Sequence, residues 1–123
     1  MAKIDSLFLA LGATYLVIGM AMGIHMGASQ DFMYGPLHAH INLVGFAAHA
    51  VFGMAYKLWP GMKIGVLASV HGWLYAISAP LFMIGLAITL KTHNEILVIA
   101  SSFGLILAVL AFCINAWRNF ARG

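Results

Sequence analysis

Four apolar stretches take up most of this chain, over residues 7–28, 36–59, 64–90 and 95–117. Each is close to or above the ~20 residues a helix needs to cross the hydrocarbon core of a bilayer. In lipid every backbone amide must find its partner inside the segment, so runs of this kind are predicted to be helices. The chain is 63% hydrophobic and only 7% charged, where soluble domains carry about 25% charged residues. The expected fold class is therefore an all-α membrane protein with four transmembrane helices. The connections, residues 29–35, 60–63 and 91–94, are short, which makes sequence neighbours antiparallel and residues 1–123 a single domain. The first stretch is too long for a typical signal core and has no clear small-residue cleavage site, so it is read as retained.

Positive charge predicts the orientation. Lys3, Lys57, Lys63, Arg118 and Arg122 flank helix ends on one side, and Lys91 alone falls on the other. By the positive-inside rule both termini are cytoplasmic, and the first and third loops face outward. Trp59 and Trp117 then sit at the inner interface, where aromatic residues collect. The basic residues are scattered beside apolar segments, which reads as topology and not as nucleic-acid binding. The expected location is the cytoplasmic membrane of a prokaryote.

Six histidines are the chemistry-bearing residues of this sequence. Ionisable side chains are costly in a bilayer and usually functional. Histidine can be neutral there, but its ring nitrogens still need partners. The second stretch opens Gly35-Pro36-Leu37-His38-Ala39-His40-Ile41-Asn42-Leu43-Val44-Gly45-Phe46 and continues to His49. On a regular helix His38 and His40 lie about 200° apart, so they face two different sites. His38, Asn42, Gly45 and His49 share one stripe instead, at offsets of 4, 7 and 11 residues. By depth, His25, His38 and His40 form an outer layer with His93 in the loop above, while His49 and His71 lie near mid-membrane.

Carboxylates are nearly absent from the spans, and the single cysteine, Cys113, excludes a Cys cluster within one chain. Imidazole without carboxylate or thiolate suits haem iron or copper better than a hard cation. No nucleophile–base triad, phosphate loop or carboxylate pair is present. For His25, His49 and His71 a plain interhelical hydrogen bond is as good an explanation as ligation, and His93 reads as solvated. Met20, Met22 and Met26 surround His25 and would suit Cu(I), though core filling is the simpler reading. Gly19, Gly23 and Gly27 form a small-residue face for close helix packing. Tyr75 and Ser78 share the His71 stripe and could orient a cofactor, a quinone or a water, or satisfy one another.

The run from His38 to His40, followed by Gly45-Phe46 and Gly53-Met54-Ala55-Tyr56, resembles the second helix of haem-copper oxidase catalytic subunits. The likeness is strongest to C-type oxidases and nitric oxide reductases, which open that helix with an Arg-Pro-Leu-His-Thr-Asn-like run, and proteins of the NnrS family show a similar Leu-His-Ala-His opening. It covers residues 34–59, and the first and third helices agree only in length and topology. The resemblance implies that His38 is an axial ligand of a low-spin haem. In that family a His-x-His pair on the tenth helix faces two haems, and His38 with His40 forms such a pair here. The family's twelve helices make three four-helix arcs, and this chain is one third of that size. The implied assembly is a homotrimeric ring in which each chain is one arc.

The expectation is a b-type haem protein, since no Cys-x-x-Cys-His attachment motif exists, with copper as a further candidate cofactor. The expected role is electron transfer through haem iron held by His38 and His40, with Asn42 and Gly45 beside the cofactor and His25, His49 and His71 as further candidate ligands. Quinol is a candidate donor. The alternatives are reduction of dioxygen or nitric oxide at a haem-copper site, and a haem or copper binding or sensing module without turnover.

Overall fold

A computed structural model describes all 123 residues. It is all-helical, and four helices are long and apolar enough to cross a membrane. They are α1 (Ile4–Ser29), α2 (Gly35–Leu58), α3 (Val66–Thr92) and α4 (Ile96–Ala121). The ends lie one to four residues from those the sequence suggests. α1 and α4 gain most, because apolar periodicity fades at a membrane interface before helical hydrogen bonding does.

Each helix end has a local cause. α1 stops at Gln30 and α3 at His93, both in the left-handed conformation that closes a last turn (φ 56° and 60°). α2 starts with Pro36 in its first turn, where a missing N–H is harmless. It is followed by a 3-10 turn, Pro60–Lys63. Gly65, at φ 99°, makes the bend into α3 that a side chain would resist. The helix ends on the side of the two termini are tied by an ion pair, Lys63 Nζ to Asp5 Oδ2 at 2.7 Å, and by Asn115 Nδ2 donating to the Met62 carbonyl at 2.7 Å.

α2 is not a regular helix. Residues Ile41–Ala47 form a π-helical turn between two α-helical halves. Ala48 N–H reaches back five residues to the Leu43 carbonyl. The next two carbonyls each accept from a side chain: Val44 from the Tyr75 hydroxyl at 2.8 Å and Gly45 from His49 Nδ1 at 2.6 Å. A switch between five-residue and four-residue pairing leaves a carbonyl over, and buried carbonyls need partners. The side chains from α2 and α3 meet that need.

α1 and α2 pack through bare backbone. A Cβ on Gly12 would meet the Phe46 carbonyl oxygen, His49 Cβ and Ala50 N at 3.2–3.4 Å. The bare faces of Gly19 and Gly23 take the Asn42 amide and the His38 ring. Gly27 has nothing within 4 Å, so the small-residue seam runs Gly12, Gly19, Gly23 and not Gly19, Gly23, Gly27. α4 packs along α3, with Gly85 against the backbone of Leu97 and Val98 and Gly104 against Ser78. The core has two layers. The one nearer the termini holds Phe8, Phe52, Tyr56 and Tyr75, and the other, toward the α1–α2 loop, holds Leu37, Ile41 and Met83.

Candidate functional site

His38, Asn42, Gly45 and His49 all turn toward α1. The His38 ring lies over Gly23, with Cε1 3.1 Å from where a Cβ would stand. Its Nδ1 is buried without a partner. Asn42 Nδ2 donates to the His38 carbonyl at 3.0 Å and lies 3.4 Å from His38 Nε2. Gly45 leaves room for a side chain from α1, since a Cβ there would stand 2.6 Å from Tyr15 Cγ. The Tyr15 ring fills that space and stacks on His49, centroids 5.3 Å apart at 25°.

His40 faces another way. Its ring lies 5.4 Å from that of Phe82 on α3, and it is half-buried. His40 Nδ1 is 2.7 Å from the Pro36 carbonyl oxygen. A carbonyl can only accept, so Nδ1 carries a proton, and in the neutral ring Nε2 is then the nitrogen with the lone pair. The pair therefore diverges within one chain, His38 to α1 and His40 to α3. His25 is exposed near the C-terminal end of α1, and His93 is exposed in the α3–α4 loop.

His49 and His71 are both fully buried, yet they do not bond one another. His49 Nδ1 donates to the Gly45 carbonyl, which fixes its tautomer and leaves Nε2 as a lone pair. His71 Nδ1 pairs with the Tyr56 hydroxyl at 2.9 Å. Neither Nε2 has a partner. Phe8 is edge-on to both rings, at 5.1 and 5.2 Å, and Tyr75 neighbours both, at 4.9 and 5.8 Å. His71 thus has a plain interhelical hydrogen bond, to Tyr56 of α2, but none joins the two histidines, and two buried ring nitrogens are left over. Tyr75 and Ser78 do not satisfy one another either. Tyr75 serves Val44, and Ser78 meets the bare face of Gly104.

Sequence reasoning did not single out Tyr15, Phe8 or Tyr56 as site residues. For Tyr15 a signal existed: residues 12, 15, 19 and 23 follow helical spacing, so it lies on the glycine seam. No three His, Cys, Asp or Glu side chains gather as a metal-binding group. The chemistry on offer is that of separate imidazoles: one preset and half-exposed at His40, one over Gly23 at His38, and two enclosed at His49 and His71. Comparison of the chain with protein-family models, with curated proteins and with solved structures finds no match.

Proposed function

We propose that this protein is a b-type haem-binding membrane protein that transfers electrons through a low-spin haem with two imidazole ligands, His38 and His40. The observation that carries the reading is His40. Its Nδ1–H is held by the Pro36 carbonyl at 2.7 Å, the outer-shell contact that orients ligating histidines and raises their basicity. Its Nε2 lone pair stands on a half-buried ring at the outer end of α2. The donor set supports iron in haem, since imidazoles unaccompanied by carboxylates suit it.

His38 fits the same role after a small adjustment. Asn42 holds the His38 carbonyl at 3.0 Å and the ring nitrogen only at 3.4 Å. The ring can therefore turn away while the amide keeps its backbone bond. Because the two rings diverge, the reading requires two copies per haem. Three chains in a closed ring, each giving His38 to one neighbour and His40 to the other, meet that requirement with one kind of heterologous interface. Both termini then lie on the cytoplasmic side of a prokaryotic inner membrane, with the haems near the outer face and quinol as candidate donor.

When bound, haem supplies a one-electron couple. The chain's own residues fix the imidazoles and exclude water. Protein expressed with ample haem is expected to show reduced b-type bands and to release the haem into acid acetone. Two axial imidazoles leave no open position, so carbon monoxide should not change the reduced spectrum. Colourless protein would overturn the reading, and strong carbon monoxide binding would favour catalysis on dioxygen or nitric oxide, or sensing.

A second metal site at His49 and His71, for copper or another haem, is favoured by their two buried and unpartnered Nε2 atoms. Buried polar atoms without partners call for an explanation. His71→Ala is then expected to lower the bound copper or iron measured by elemental analysis. Unchanged metal content would remove this site.

A further inference from the structure

A groove of about 510 Å³ lies at the outer end of α1, where the chain turns toward α2. Its walls are apolar, with Ile18, Met22 and Met26 among them, and its polar groups are His25, Asp31 and Tyr34. That volume is in the range of small-molecule sites, about 300–1,000 Å³. Met22 and Tyr34 also pack against the cluster of Leu37 and Ile41, so the groove adjoins the His38 end of α2.

We infer that this groove binds the head group of an isoprenoid quinone. The inference deepens the electron-transfer reading and rests on it for the quinone's use. Three observations choose the occupant. First, the groove opens from a membrane-spanning helix, so its ligand arrives through lipid with an apolar tail, and Ile18 and Met22 offer that tail a wall. Second, the polar end combines an imidazole with a carboxylate and a phenol. His25 makes no hydrogen bond within the protein. Asp31 spends one oxygen on the Met33 N–H at 3.1 Å, and the chain's one ion pair, Asp5–Lys63, leaves it without a cation. These groups accept from the hydroxyls of a hydroquinone and, through His25 or Tyr34, donate to the carbonyls of a quinone. Third, the carboxylate disfavours an anionic phosphate beside it, so a neutral head group suits the groove better than a phospholipid's.

The test uses the full chain in lipid nanodiscs, once with haem and once without. A short-tailed azidobenzoquinone is photo-activated and its label mapped by mass spectrometry. Retention of the unlabelled short-tailed quinone is measured beside it. The label is expected on residues 17–34. Retention is expected to fall about five- to tenfold in His25→Ala, the size of one lost hydrogen bond. A similar fall is expected in Val17→Trp, whose indole fills the groove, with the melting temperature unchanged in both variants. Label spread over all lipid-facing helices, or retention unaffected by both variants, would overturn the inference. So would a phospholipid that co-purifies with the protein and is lost in these variants. Quinone bound by protein that never takes up haem would sink the haem reading and leave this site standing. Haem without quinone would do the reverse.

Discussion

His40→Ala protein is expected to contain no low-spin haem, although His38 remains. His38→Ala is expected to fail in the same way, and a mixture of the two to regain about a quarter of the wild-type haem. That fraction follows from random pairing across a heterologous interface, and a closed ring of three illustrates it. With equal random mixing, three quarters of the trimers contain both chains, and each of those has one interface of three with an intact His38 facing an intact His40. The variants should fold. His40 gives up one bond to Pro36 of its own first turn. His38→Ala leaves Asn42 its 3.0 Å contact, which goes to the backbone of residue 38. The measurement is the reduced-minus-oxidised spectrum of chains co-assembled from separate tags. The competing arrangement places one haem inside each chain, on His25 and His38. If His40→Ala keeps full haem while His25→Ala loses it, the shared site is wrong. The divergence of the rings argues for sharing. His38 rests on Gly23 of α1, and His40 is 5.4 Å from Phe82 of α3.

The spans were legible because membrane length and apolar content are properties of the residues alone. The four-residue stripe of α2 was legible for a similar reason. Its members do all face α1, with Gly12, Gly19 and Gly23 opposite. The π turn was not legible. Ile41-Asn42-Leu43-Val44-Gly45-Phe46-Ala47 contains no proline and reads as an ordinary apolar helix. What favours the wider turn lies partly elsewhere, since the Tyr75 hydroxyl comes from α3, thirty-one residues away, to take the Val44 carbonyl. Regular phasing still placed His49, beyond the turn, on the seam, where the Phe46 carbonyl oxygen and Ala50 N also lie beside Gly12. Tyr15 was missed because the functional weight of an aromatic residue on α1 depends on a glycine missing its side chain on α2.

The largest stability effect is expected at a glycine of α3 that packs on α4. A Cβ on Gly85 would stand 2.6 Å from Val98 N and 2.9 Å from Leu97 C. Those are backbone atoms of α4, and they cannot yield unless the whole helix moves. Gly85→Leu is expected to cost about 3 kcal/mol or more, and Gly85→Ala about 1–3 kcal/mol, the usual range for overpacking. Gly27 gives the opposite sign. With nothing within 4 Å of its Cβ position, Gly27→Ala should gain the helical preference of alanine, about 0.5–1 kcal/mol. Gly72 falls between, because the atoms met there belong to the flexible Met1 side chain and to Ile4 Cδ1. Denaturation in mixed micelles ranks the three, and equal midpoints for Gly85→Ala and Gly27→Ala would show that α3 and α4 do not pack this closely. The consequence reaches the buried pair. α4 carries Phe112, whose ring lies 5.0 Å from that of His71, and Asn115, which holds the Met62 carbonyl. Displacing α4 uncovers the His71 side of the cluster around Phe8 and loosens the turn into α3. Gly85→Leu should therefore change the environment of His71, read as a shift of its ring resonances.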